Sequence, residues 1–210
     1  MNHEKQMILN WIKIGIINGL LVSVIYPLLQ FVSNLVLGVI LAISMGLTIS
    51  LASAGLYYFI TLYKRTITAK IGLFSNIIAG TILMQMFLIQ LAIKSSRPDI
   101  INDSGKWIWN SLNHIHYGLD VCWDVYIFAG TLLFAINAFQ HPKLGKLLSV
   151  TGVAIASLMI ITNVSVFPIP PSSAQLIDFG PFVGLWYLAV TIKILFSYKW
   201  IKQELIKSTI

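Results

Sequence analysis

Residues 35–62 read LVLGVILAISMGLTISLASAGLYYFITL, a stretch without a single charged side chain. An α-helix rises 1.5 Å per residue, so about 20 apolar residues cross the hydrocarbon core of a bilayer. Lipid offers backbone groups no hydrogen-bond partner, and a helix pairs those groups internally. This stretch therefore predicts a transmembrane helix, and with it a membrane fold for the chain.

The rest of the chain has the same character. Of its 210 residues, 57% are hydrophobic and only 10% are charged, and the mean hydropathy is +0.84. Soluble domains carry about 25% charged residues, so this composition predicts an integral membrane protein. Cys122 is the single cysteine, which excludes an internal disulfide and a multi-cysteine metal site.

Six apolar segments are long enough to span a membrane, and polar or proline-containing turns separate them. Pro27, for example, marks the end of the first segment, because proline lacks the backbone donor that a helix needs. We predict an all-α, polytopic membrane protein, a six-helix transmembrane bundle that forms one domain over residues 1–210. The predicted spans are residues 8–29, 35–62, 71–93, 117–139, 145–167 and 177–198.

The basic residues are unevenly divided between the two sides of this arrangement. If the N-terminus is cytoplasmic, only Lys94, Arg97 and Lys106 fall in loops on the outer side. Cytoplasmic loops of membrane proteins carry an excess of Lys and Arg, so both termini are predicted to be cytoplasmic. The net charge of +7 then reflects topology and attraction to anionic membrane lipid, and no nucleic-acid partner is expected.

The segment HIHYGLDVCWD, residues 114–124, concentrates ionisable groups at the start of the fourth span. In a helix, His116, Asp120 and Asp124 stack on one face at spacings of four residues, over about 12 Å. His114 and Cys122 point elsewhere. A helix from Lys106 onward exceeds the membrane thickness, so residues 106–117 project from it, lie along its surface, or break from the span at Gly118.

Three interpretations of this stripe remain open. The groups are hydrated at the interface or paired with Lys94, Arg97 or Lys106. Alternatively, Asp120 and Asp124 face a water-filled cavity that binds a cationic or polar ligand or relays protons, because a carboxylate within a span usually faces the bundle interior. In the third interpretation, His116, Asp120 and Asp124 bind a divalent metal ion.

Other polar residues are expected in the same half of the membrane. They are candidates for the wall of an outward-facing pocket: Gln90, Asn163, Asp178, Trp186 and Tyr187. For Gln90 and Asn163 the alternative role is interhelical hydrogen bonding. For Asp178 it is capping of the sixth helix.

Small residues at a spacing of four mark surfaces where helix backbones approach closely. Gly15 and Gly19 form one such pair, and Gly180 and Gly184 form another. We expect these positions to pack helices within the chain, with a homodimer contact as the alternative.

Three stretches of the C-terminal half together carry a family resemblance: LDVCWD at residues 119–124, FPIPP at 167–171 and LIDFGPFVGLWYL at 176–188. The chain resembles a bacterial family of multi-span inner-membrane proteins of unknown function. The resemblance implies a location in the bacterial cytoplasmic membrane and supplies no activity or site residue.

The leading functional hypothesis is non-enzymatic: an outward-facing polar pocket that binds or passes a small molecule or ion, in a membrane-lipid environment. No HExxH helix, GxSxG turn or phosphate-binding glycine loop occurs in the chain, and no cofactor is predicted. One alternative is an intramembrane enzyme that acts on lipid with His116 and an aspartate as acid–base pair or metal ligands. The other is a structural or partner-binding membrane subunit.

Overall fold

The computed structural model describes residues 3–95 and 106–207, and these residues form α-helices joined by short turns. Arg97, Asp99 and Asp103, which the charge pattern places in one outer loop, lie outside the described residues. The helices are α1 (His3–Phe31), α2 (Leu35–Tyr63), α3 (Ile67–Ser95), α4 (Lys106–Ala138), α5 (Gly145–Val166), α6 (Gly180–Phe196) and α7 (Tyr198–Lys207), with a 3-10 turn at Pro171–Ala174.

The predicted all-α membrane fold is confirmed. Helices α1 to α5 are each long and apolar enough to cross a bilayer. Helix α6 has 17 residues, which is short for a span, and it qualifies only together with α7, from which it is bent by 64°. The described chain therefore holds five spanning helices, or six with the bent pair.

Two details of the predicted spans need correction or completion. Helix α1 does not end at Pro27 but continues to Phe31; proline is tolerated in transmembrane helices because local adjustments and neighbours satisfy the freed backbone groups. Helix α4 runs unbroken for 33 residues from Lys106, so the chain does not break at Gly118. At about 50 Å, α4 exceeds the ~30 Å core.

The helices form a ring in which each packs against its neighbours in sequence and α6 closes back onto α1. Helix α6 packs less extensively against α1 and α5 than the other helices pack against one another. The N-terminal part of α1 meets α7, where Ile8 and Leu9 share one apolar cluster with Ile201 and Leu205. Both ends of the described chain therefore lie at the same end of the bundle.

We name the two ends of the bundle by their charge. The basic end holds the turns with Lys64 and Lys143 together with helix α7, which carries Lys199, Lys202 and Lys207. The acidic end holds the junction of α3 and α4 and the segment before α6, where Asp178 lies. The names are kept below without reference to a side of the membrane.

Glycines set the closest helix contacts. A Cβ atom on Gly15 of α1 would collide with the backbone of Gly55 of α2, and one on Gly19 would collide with the side chain of Thr191 of α6. Gly46 and Gly80 bring α2 and α3 together in the same way. The first GxxxG pair thus packs helices within the chain, as expected, because small residues allow backbones to approach.

His141 and three aromatic rings close the basic end. The His141 ring lies 4.7 Å from Phe59, 5.6 Å from Tyr63 and 5.2 Å from Trp200, centroid to centroid. Its Nδ1 accepts hydrogen bonds from the backbone N–H groups of Lys143 (3.2 Å) and Leu144 (3.4 Å). Since these residues precede α5, His141 ties the start of that helix to α2 and α7.

Candidate functional site

A cavity of about 580 Å³ lies inside the ring, within the range of small-molecule sites. Helices α1, α2, α3, α4 and α6 supply most of its wall, and Pro170 and Pro171 close part of the acidic end. Seven of the eight side chains proposed from the sequence as ligand-binding line this one cavity. They are Gln90, His116, Asp120, Asp124, Asn163, Asp178 and Tyr187.

Helix α4 carries the polar stripe of the site. His116, Asp120 and Asp124 all line the cavity, because four-residue spacing in an unbroken helix keeps side chains on one face. His114 and Cys122 are exposed and do not line it. The division of HIHYGLDVCWD into an inward stripe and outward residues, expected from periodicity, therefore agrees with the structure.

Asp124 is the most isolated polar group of the stripe. Its side chain is 2% exposed, and its Oδ2 atom has no hydrogen-bond partner among the described residues. The adjacent Trp123 also lines the cavity, and its indole N–H likewise has no hydrogen-bond partner among the described residues. A buried carboxylate without a partner is costly, so this part of the wall is suited to a ligand that supplies positive charge or a donor.

The other polar groups near the acidic end have identifiable contacts. The His116 ring is hydrogen-bonded to the side-chain amide of Gln90, which links α4 to α3. Asp178 accepts a hydrogen bond of 2.8 Å from the backbone N–H of Gly180. The N-cap position of α6 is Phe179, without a side-chain capping bond, so Asp178 lies one residue before it. Its carboxylate still satisfies one of the unpaired donors at the start of α6, in a local turn across two residues.

Within the part of the chain that the structure describes, neither Asp120 nor Asp124 forms an ion pair with Lys94 or Lys106. The cavity lining there includes three aspartates and one histidine, and no Lys or Arg. The wall thus offers acceptors and negative formal charge with no built-in counterion.

A hydrogen-bonded network lies deeper in the bundle, around the hydroxyl group of Tyr187. Asn76 donates to this hydroxyl oxygen at 2.7 Å and to Ser53 Oγ at 3.0 Å, and Thr131 donates to the same hydroxyl at 3.0 Å. The four side chains come from α2, α3, α4 and α6. The network therefore fixes α6 to the three helices across the bundle.

Trp186, predicted as a wall residue, is not among the residues that line the cavity. Its indole N–H donates to the backbone carbonyl of Leu148 at 2.7 Å, and its ring packs against Gly152 of α5. The Trp186 side chain therefore lies in the contact between α5 and α6. Asn163 lines the cavity while donating to Met159 O of its own helix.

The proposed metal ligands do not form a compact set. No three His, Cys, Asp or Glu side chains come together as a metal-binding group in residues 3–95 and 106–207. His116 and Asp124 lie eight residues, about 12 Å, apart along α4, and no further ligand from another helix joins them. The geometry thus gives the metal interpretation no support.

Three residues with a role in the cavity wall or the buried network were not singled out from the sequence. Asn76, fully buried, is an amide within an apolar span, and such a position is a signal for an interhelical hydrogen bond. Tyr26 and Trp123 line the cavity, but aromatic residues near a membrane boundary are common, so no pattern singled them out.

Comparison with protein families, curated proteins and solved structures finds no match to this chain. The resemblance to a bacterial inner-membrane family therefore stays an expectation.

Proposed function

We propose that this membrane protein binds a small molecule carrying positive charge in the cavity inside the helix ring. The observation that carries the proposal is Asp124, whose buried Oδ2 has no partner in the described chain and whose side chain lines the cavity. Asp120 and Asp178 add acceptors to the same wall. A cation bound there would compensate the cost of burying the carboxylate.

The proposal is tested with two small molecules of the same shape, the cation choline and its uncharged analogue 3,3-dimethylbutan-1-ol. Equilibrium dialysis of the purified protein in detergent should show saturable, stoichiometric binding of the cation and none of the uncharged analogue. Asp124→Asn preserves the side-chain shape and removes the charge, so it should weaken cation binding at least about tenfold, since charge-assisted contacts contribute about 1.5–3 kcal/mol.

Glu204→Gln is the matched control, because Glu204 lies on α7 and pairs with Lys207 there. This variant should bind the cation like the wild-type protein. Absence of cation binding, equal binding of choline and its uncharged analogue, or undiminished cation binding by Asp124→Asn, would refute the proposal.

We further propose that the acidic end faces outward, with both termini in the cytoplasm, in a bacterial cytoplasmic membrane. The support is the grouping of Lys and Arg at the basic end. In a Cys122→Ser background, a cysteine at Lys143 should react with an impermeant maleimide only after the cells are opened. Labelling in intact cells would reverse the orientation.

The alternatives gain less support from the site. An acid–base mechanism needs His116 within hydrogen-bond reach of a carboxylate or substrate, but in the described residues its ring is bonded to Gln90. A purely structural subunit gives no role to a buried, unpartnered Asp124. Gly180 and Gly184 both line the cavity, so the proposal assigns this face of α6 to the ligand rather than to a homodimer contact.

A further inference from the structure

We propose that the ligand is a cationic amphiphile, which reaches the cavity sideways from the lipid through a gap between α1 and α6. Its charged head would lie beside Asp124 and its apolar chain would extend toward the basic end. This inference rests on the proposed function and adds the ligand class and the access route.

The cavity is elongated rather than round. Its lining on α1 extends from Ile12 to Gln30, which is about 27 Å of helix. A sphere of about 580 Å³ would be only about 10 Å across. The shape thus suits a long, narrow molecule that lies parallel to the helices.

The polarity of the wall changes along this length. Toward the acidic end it carries the three aspartates, Gln30, Gln90 and His116, whereas toward the basic end it consists mainly of apolar or small residues. The latter are Ile12, Gly15, Ile16, Gly55, Leu56, Val190 and Ile194.

The few polar groups of this deeper wall are already occupied. Ser53 and Tyr187 accept hydrogen bonds from Asn76, and the Thr191 hydroxyl donates to the backbone carbonyl of Tyr187. An apolar chain can therefore lie against these oxygen atoms without depriving them of their hydrogen-bond partners within the bundle. A head with charge and a tail without polar groups matches both halves of the wall.

Two residues on one face of α6 show where the gap between α1 and α6 lies. Gly184 and Thr191 are seven residues apart, so they point in nearly the same direction. Thr191 contacts Gly19 of α1, whereas a Cβ at Gly184 would find no atom within 4 Å. Helix α1 therefore lies against α6 at Thr191 and away from it two turns nearer the acidic end.

Residues at this gap both line the cavity and remain exposed. Leu185 on α6 is 60% exposed and Tyr26 on α1 is 38% exposed, and both belong to the cavity wall. Tyr26 and Leu185 both lie within predicted spans, residues 8–29 and 177–198, so the proposal assigns this exposure to the lipid rather than to bulk water. An amphiphile dissolved in the bilayer could therefore reach the aspartates without leaving the membrane.

The test uses dodecyltrimethylammonium with a photoreactive diazirine at the end of its chain. The full-length protein is placed in phosphatidylcholine nanodiscs, irradiated with the probe, and mapped by mass spectrometry. The proposal expects labelling of Ile12, Ile16, Val190 or Ile194, and its loss in Asp124→Asn.

Two further variants test the route. Gly184→Phe should fill the gap and abolish labelling of the deep wall. Gly118→Phe is the matched control, because a Cβ at Gly118 also meets open space but the residue does not line the cavity. Its labelling should equal that of the wild-type protein.

The outcomes separate this inference from the proposed function. Labelling that depends on Asp124 but falls only on residues near Asp178 would overturn the amphiphile and leave cation binding intact. Deep labelling that survives Gly184→Phe would overturn the lateral route. Labelling that does not respond to Asp124→Asn would refute the cation site, and with it this inference.

Discussion

Single residues in this protein divide into those whose role is visible in the sequence and those whose partners are not. The His116, Asp120 and Asp124 stripe could be predicted, since helical periodicity alone determines which side chains share a face. The unpaired state of Asp124 could not, because it depends on what five other helices place nearby. The same holds for Asn76, whose partners come from α2 and α6.

His141 gives a prediction with a defined sign. Burial lowers the pKa of His141 to about 4, and the charge of Lys143 acts in the same direction. The unfolded chain therefore takes up a proton near pH 6.5 while the folded protein does not. Folding stability contributed by His141 is complete above about pH 6.5 and is lost as the pH falls toward 4, by at most about 1.4 kcal/mol per pH unit.

Thermal unfolding in detergent at pH 7, 6 and 5 would measure this effect. His141→Asn retains a side-chain acceptor for a nearby backbone N–H and does not titrate. As the pH is lowered from 7 to 5, the stability of the His141→Asn variant should fall less steeply than that of the wild-type protein. Parallel stability curves for the two proteins would contradict the assignment of this pH dependence to His141.

Tyr187→Phe tests the buried network. The substitution keeps the ring and removes the hydroxyl group that Asn76 and Thr131 contact. Interhelical hydrogen bonds in membranes contribute about 0.6 kcal/mol on average and up to about 1.7, so denaturant unfolding should show a loss of that size. Tyr126→Phe, at an exposed position, is the control and should leave stability unchanged.

Among the elements, four of the five long apolar helices were predicted to within about five residues at each end, because length and hydropathy determine a span. Helix α4 begins at Lys106, eleven residues before the predicted span of 117–139. The last span was less accurate. Residues 177–198 were expected as one helix, but α6 begins at Gly180 and ends at Phe196, before the bend to α7. The bend reflects the amphipathic character of α7, whose apolar side packs on α1 while its lysines remain exposed.

Helix α7 should contribute to stability through one face only. Ile201 is fully buried, while Ile206 is 76% exposed. Ile201→Ala should therefore cost about 2–4 kcal/mol through lost burial and the cavity left behind. Ile206→Ala should change the free energy of unfolding by less than about 0.5 kcal/mol. Equal effects of the two substitutions in denaturant unfolding would contradict the docking of α7.

At the scale of the whole molecule, six apolar segments predict a helical bundle, but they do not show which helices enclose a cavity. The cavity arises because α6 packs loosely against its neighbours. The sequence does not reveal this loose packing, because the GxxxG pattern of α6 suggests a tight contact. In the structure Gly184 faces open space, and lining residues from six helices, α1 to α6, surround the volume beside it. The cavity therefore exists because α6 does not pack tightly against α1 near Gly184.

Locating a bound cation would test the central claim most directly. Arsenocholine has the shape and charge of choline, and its arsenic atom gives an anomalous X-ray signal. Crystals of the protein grown with this cation should show one arsenic peak inside the helix ring, beside Asp124, and Asp124→Asn crystals should lack it. A peak found only on the lipid-facing surface or at the basic end, or one that persists in Asp124→Asn, would contradict the account.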